Sequence, residues 1–402
     1  MSWDGAVRLS RLLAQPLSPL PTSAAGARGG LTDFKHGRGD TGAMPDSSRS
    51  LPGEIPLPRR SLPRKPGVKH ISLALQGGGS HGAFTWGVLH RLISEPRFYI
   101  DGLSGTSAGA MNAVVFADGF IRGSRQGAID ALARFWGRIG DLPGVPRSLA
   151  RGLPGLTDGW QVDSDPSFQL FDFMTRLWAP NQLNPLNMNP LRRVLNDLVD
   201  FAALRRRHDV KLFVTASNVR TCKSRLFRTP ELSADVLLAS ACLPLLYKAV
   251  EIDGEHYWDG GYLGNPAIHP LINECASSDV VIVQINPLHR PDVPVTMRDI
   301  LNRINEMTFN ASLVREMFGI ATVSSLIERG ALEDDRYTTV RFHRISAETE
   351  LVGYGALSKL NTERAFLQHL HDLGYETAER WIAESFDRIG WESSVDVLET
   401  FV

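Results

Sequence analysis

A chain of 402 residues with 43% hydrophobic side chains can bury one large core or two smaller ones. A formal net charge of −1 excludes a protein whose main partner is nucleic acid, because neutralising phosphates needs a clear basic excess. Three cysteines, Cys222, Cys242 and Cys275, with no CxxC spacing, exclude a disulfide framework and a zinc site and fit a reducing, cytoplasmic compartment.

Residues 1–69 are rich in Pro, Gly, Ser and Arg, and residues 1–70 carry eleven Lys and Arg against five Asp and Glu. Such a segment buries too little apolar surface to offset its ordering entropy and is expected to be a disordered tail. It reads as a linker; as an alternative, Trp3, Val7, Leu12 and Leu13 could form one apolar edge of a short helix on anionic lipid, giving a peripheral membrane contact. No apolar run approaches the roughly 18 residues of a membrane span, and the first residues lack the apolar core of a secretory signal.

The short apolar run at residues 70–75 predicts a buried strand. A glycine loop follows, Gln76-Gly77-Gly78-Gly79-Ser80-His81-Gly82, and then a helix over 82–93 with Phe84, Val88 and Leu92 at i, i+4 spacing. Residues 98–103 form the second predicted strand. The turn Gly105-Thr106-Ser107-Ala108-Gly109 leads into a helix over 110–117. This β-α-β-α rhythm implies parallel strands joined by a right-handed crossover.

Residues 140–188 hold many Pro and Gly with Trp160, Phe168, Phe171, Phe173, Met174 and Trp178, and read as a lid over an acyl groove or as satellite core. Trp160, Phe171 and Trp178 are the candidate substrate-binding residues. Further strands are expected at 211–219, 225–228, 279–285 and 339–345. Asp253-Gly254 marks a hairpin between 248–252 and 255–258 that delivers Asp259, followed by Gly260-Gly261 and Asn265-Pro266. After residue 290 the pattern turns mainly helical, so residues 291–402 read as a helical C-terminal extension on a catalytic domain at 70–290.

Three of these motifs can make one site. In a parallel α/β sheet, loops after neighbouring strands emerge at the same carboxyl edge, so the glycine loop and Ser107 should meet. Ser107 would sit on a sharp strand-to-helix turn with its hydroxyl above the sheet. Backbone N–H groups of Gly77, Gly78 and Gly79 would serve as oxyanion donors, each worth about 3–4 kcal/mol in acyl transfer. Asp259 would be the base. Its reference pKa of about 3.9 suits a serine poorly, so burial beside Tyr257 and Trp258 is expected to raise it.

Together these residues resemble the patatin-like phospholipase family: Gly77-Gly78-Gly79-Ser80-His81-Gly82, Gly105-Thr106-Ser107-Ala108-Gly109, and Asp259-Gly260-Gly261 with Asn265-Pro266. The resemblance covers residues 70–290. It implies a three-layer α/β sandwich with a mostly parallel central sheet, and a Ser107-Asp259 dyad that hydrolyses acyl esters of phospholipids or related lipids. The stretch Pro180-Asn181-Gln182-Leu183-Asn184-Pro185-Leu186-Asn187 and the long C-terminal helices are similar to a bacterial branch of that family. In one respect the chain departs from the pattern: Ser80-His81 stands where the family's glycine loop often carries a basic residue. No cofactor or metal is required.

Three rival readings stay open at this level. Gly77, Gly79 and Gly82 also satisfy Gly-x-Gly-x-x-Gly, with Asp101 about 20 residues on, as in a dinucleotide-binding oxidoreductase. A lipid-binding protein without turnover is a second. A Ser-His-Asp hydrolase is a third, with His269, His289, His343, His369 and His371 following Asp259 in the chain. His81 could line the site or merely pack.

Overall fold

A computed structural model describes residues 66–142, 180–207, 210–332 and 339–402, which fall in one compact unit. Residues 1–65 of the tail expected over 1–69, and the aromatic residues Trp160, Phe168, Phe171 and Trp178, lie outside the described residues, while Lys69 already belongs to the first strand.

The chain alternates strands and helices as the sequence rhythm implies. Strand β1 (Lys69–Leu75) runs through the glycine loop into α1 (Gly82–Ser94), and β2 (Phe98–Gly105) runs through the Ser107 turn into α2 (Ala108–Gly140). Helix α2 is much longer than the expected eight residues and is broken at Gly123 and Ser124, where Ser124 takes φ of 55°. After β3 (Lys211–Asn218) come β4 (Ser224–Arg228), α3 (Ala234–Ser240), and the hairpin strands β5 (Val250–Ile252) and β6 (Glu255–Asp259). The hairpin turns at Asp253-Gly254, both with positive φ, as an Asp-Gly pair favours. Then follow α4 (His269–Glu274), β7 (Asp279–Gln284), α5 (Met297–Glu328), β8 (Arg341–Ser346) and α6 (Arg364–Ser385).

The eight strands form one sheet in the order β5-β6-β3-β2-β1-β7-β8, with β4 on the other edge of β3. Strands β3, β2, β1, β7 and β8 are parallel, and β4, β5 and β6 are antiparallel to their neighbours. Period-two alternation sorts side chains into two cores. Ile71, Leu73, Leu75, Val281 and Val283 pack with α1, α2 and α6 on one face. Ala74, Phe213, Val280 and Ile282 pack with Leu271 of α4 and Leu313 and Met317 of α5 on the other. The result is a three-layer α/β sandwich.

The region after residue 290 is interleaved with the rest. Strand β8 pairs along its whole length with β7, and α6 lies on α1. Gly87 and Gly374 make that helix contact close: a Cβ on Gly87 would overlap the His371 carbonyl oxygen, and one on Gly374 the Phe84 carbonyl oxygen.

Candidate active site

Strand β3 brings the motifs together. Its first half pairs with β2, ending at Gly105↔Val214. Its last residues pair with β6, with Ala216↔Asp259. Because β4 occupies the opposite edge over both stretches, β6 takes up the edge of β3 that β2 leaves at Gly105. Asp259 therefore arrives beside the turn that carries Ser107. Side chains stitch the two turns: Thr106 Oγ1 donates to the Gly264 carbonyl at 2.6 Å, and Ser104 Oγ to that of Ala267 at 2.6 Å.

Ser107 has φ 53° and ψ −121°, a conformation that costs a non-glycine residue about 1–3 kcal/mol. The surrounding turn leaves no alternative. A Cβ on Gly105 would lie 2.6 Å from the Gly109 carbonyl oxygen, and one on Gly109 would overlap that of Leu75. Ser107 is buried, with 7% of its surface accessible. Its N–H donates to Ser240 Oγ at 2.9 Å, at the end of α3. Sequence reasoning missed Ser240, which bears no spacing signal relative to Ser107.

Asp259 is fully buried. Its Oδ1 accepts the Gly261 N–H at 2.7 Å, an arrangement that needs glycine because a Cβ there would overlap the Phe309 ring. Its Oδ2 is buried without a hydrogen-bond partner. Burial pushes the carboxyl up to about 7, against the opposing pull of the Gly261 N–H, the Ser107 hydroxyl and the Lys359 charge. The Ser107 hydroxyl thus lies close enough to favour the charged form, although no bond of good geometry joins it to Oδ2. The direction matches the expected rise; of the two neighbours named for it, Tyr257 is buried against Phe227, whereas Trp258 is 36% exposed.

The glycine loop requires one correction. Gly77 lies against Ser107, since a Cβ on it would come within 2.8 Å of Ser107 Cβ. Its N–H, however, donates to Asn265 Oδ1 at 2.7 Å and is not available as an oxyanion donor. Among the described residues the N–H groups of Gly78 and Gly79 meet no acceptor. A buried amide network fixes the loop. Gln76 Oε1 accepts the N–H groups of Ile285 and Asn286 at 3.0 and 2.9 Å, Gln76 Nε2 donates to Asn310 Oδ1 at 3.1 Å, and Asn286 Nδ2 donates to the Gly77 carbonyl at 2.8 Å.

The rival readings lose their residues. Asp101 Oδ2 accepts the backbone N–H groups of Ala276 and Ser277, and Gly79 abuts the Lys359 carbonyl, so neither is set for a dinucleotide. No described histidine is hydrogen-bonded to Ser107 or Asp259. His269 pairs with Glu316, His343 with Asp279 at the amino end of β7, His369 with Tyr354, and His371 with His90 and Asp372, while the His289 N–H donates to Glu348. His81 is buried; its Nε2 meets Ser358 Oγ at 2.7 Å, and burial with the nearby Lys359 charge lowers it to about 3, so the ring is neutral. Among the described residues no three His, Cys, Asp or Glu side chains gather to hold a metal. Cys242 and Cys275 are buried and Cys222 is exposed.

These features define an α/β domain with a strained serine turn, a glycine loop and a buried carboxylate at one sheet edge. Residues 73–272 match the family model for patatin-like phospholipase, so the chain carries a patatin-like phospholipase domain over that stretch. No curated protein gives a sequence match. Among solved structures the chain is similar to VipD from Legionella pneumophila at 16% identity and a TM-score of 0.37, covering 79% of this chain and 67% of that one. It is also similar to ExoU of the type III secretion system of Pseudomonas aeruginosa, solved with SpcU, at 14% identity and a TM-score of 0.29, covering 84% of this chain and 62% of ExoU. At TM-scores this low, the fold assignment rests on the strand order and the family match.

Proposed function

We propose that the protein is a lipid acyl hydrolase of the phospholipase A, lysophospholipase or esterase type, working through a Ser107-Asp259 dyad. The observation that carries the proposal is the unpartnered Oδ2 of a fully buried Asp259 beside a strained Ser107, with no described histidine hydrogen-bonded to either.

In the first half-reaction Ser107 Oγ attacks the acyl carbonyl carbon while Asp259 takes the hydroxyl proton. Negative charge develops on the carbonyl oxygen, where the Gly78 and Gly79 N–H groups serve as donors. Collapse breaks the ester bond, and Asp259 returns its proton to the leaving alkoxide. In the second half-reaction water attacks the acyl-serine, again with Asp259 as base, releasing the carboxylic acid and restoring Ser107. A carboxyl with a pKa of about 7 is matched to this task near neutral pH, as one near 3.8 is not.

Substrates are phospholipids or other lipid esters. Trp160, Phe171 and Trp178 are proposed to contact the acyl chain, and the protein to meet lipid peripherally; among the described residues no helix is long and apolar enough to cross a membrane. The test is capture by a serine-directed phosphonate with product analysis on phospholipids, lysophospholipids, glycerides and short esters. Label on Ser107 with release of free fatty acid supports the proposal. Label elsewhere, or none with no hydrolysis of any ester, overturns it.

A further inference from the structure

The glycine loop lacks a charge of its own, since Ser80-His81 ends it and His81 is neutral. A cation nonetheless stands behind the loop, supplied from 280 residues further along the chain. Lys359 belongs to the short 3-10 helix Ala356–Leu360, and its backbone carbonyl abuts Gly79. Its ammonium makes no carboxylate ion pair among the described residues. Instead it donates to two neutral acceptors, Asn286 Oδ1 at 2.9 Å and Asn305 Oδ1 at 2.8 Å, and lies 5.3 Å from the Phe309 ring centroid.

The Asn286 contact has a direction. Asn286 takes the lysine charge on Oδ1 and donates from Nδ2 to the Gly77 carbonyl at 2.8 Å. That carbonyl shares one planar peptide unit with the Gly78 N–H, and in a trans peptide the two point opposite ways. Holding the Gly77 oxygen toward Asn286 therefore aims the Gly78 N–H away from the network. Hydrogen bonds in series polarise one another, so a charge at the head of the chain makes the terminal N–H a stronger donor.

We propose that Lys359 is a positioning residue for acyl transfer, acting through Asn286 and the Gly77–Gly78 peptide to orient and polarise the Gly78 oxyanion donor. This deepens, and rests on, the Ser107-Asp259 reading. The same cation acts on the base: the Lys359 charge favours the ionised form of Asp259. Burial lowers Lys359 to about 8, with Glu306 and Asp259 opposing the fall and Arg290 adding to it. Other groups facing this region are the neutral His81, Tyr354, which packs near His81, and Arg303, which pairs with Glu306 at 3.1 Å.

The experiment uses the full chain and a soluble short-chain ester, with kcat and KM measured separately from pH 5 to 10. Lys359→Met should lower kcat about 10–100-fold with KM within about twofold, a share of the loss seen when a whole oxyanion donor is removed. The acid limb of kcat/KM should move to higher pH because Asp259 loses a favourable charge. Asn286→Ala should produce a similar kcat loss, and the double variant little more than either single one. Lys359→Arg should retain most of kcat and lose any alkaline limb near pH 8, because guanidinium stays charged. That variant carries the test should Lys359→Met not fold. An unchanged kcat in folded Lys359→Met, additive losses in the double variant, or an alkaline limb that persists in Lys359→Arg would overturn the proposal. Phosphonate labelling of Ser107 in wild type separates the two readings: label and turnover there with no response to Lys359 remove only the inference, whereas an unlabelled, inactive wild type removes both.

Discussion

Ser107 and Asp259 are held in states that a folded chain would not choose for stability, and both costs can be measured. Ser107 carries its positive φ at a turn where glycines crowd it on both sides. Replacing it with Ala removes only a hydroxyl, so the folded variant should show no ester hydrolysis above background and no phosphonate label. Asp259 offers a sign that can be worked out. Its folded pKa of about 7 lies above its ordinary value of 3.8, so between those values the folded state holds a proton that the unfolded state has lost. Stability from this group is present at low pH and falls as pH rises toward 7. Asp259→Asn should therefore gain more melting temperature relative to wild type at pH 8 than at pH 5, while kcat falls about 10²–10⁴-fold. For the wild type, kcat/KM should rise with pH through about 7 as the base ionises. A stability difference that ignores pH, or an acid limb near pH 4, would contradict the burial account.

The loop and the helix pair depend on glycines for different reasons. A Cβ at Gly78 would meet Ile285 Cδ1 at 2.8 Å, and the added bulk of a branched side chain there is expected to displace the loop's N–H groups. Gly78→Val should thus lower kcat more than it changes KM, since the donors act mainly on the transition state; a change confined to KM would make the loop a binding element instead. Between α1 and α6, Gly374→Ala puts a methyl where the Phe84 carbonyl oxygen already sits. The helices must part, and the expected loss of about 1–3 kcal/mol in urea unfolding should come with little change in kcat, because neither Ser107 nor Asp259 touches that interface.

At the scale of the molecule, the C-terminal region is structural. Helix α6 covers Phe84, Val88 and Leu92 of α1, all inaccessible to water. A chain ended after residue 361 should lose near-UV circular dichroism and soluble yield, where a chain with an independent domain at 70–290 would keep both. The proposed acyl contacts of Trp160 and Trp178 predict a different pattern: changing both to Ser should reduce hydrolysis of aggregated long-chain lipid far more than of a short soluble ester, with melting temperature unchanged.

What the sequence determined by itself was local. Strand-loop-helix rhythm, the glycine loop, the serine turn and the Asp-Gly hairpin each lie within a few residues of chain, where turn chemistry and period-two burial leave few options. The meeting of the glycine loop with the Ser107 turn followed because parallel strands share a carboxyl edge, the three-layer sandwich was implied by the family resemblance, and Asp259 reaches that turn through the antiparallel pairing of β6 with β3. Tertiary structure alone decided who partners whom around that edge. It gave the Gly77 N–H to Asn265, set Ser240 under Ser107, and placed Asn286 and Lys359 behind the loop. Those residues are single polar side chains with no spacing signature. They reach the site only because β7 inserts beside β1 and the segment after β8 folds back over the glycine loop. Such proximity is created by strand order and packing of distant segments, and no periodicity in the chain encodes it.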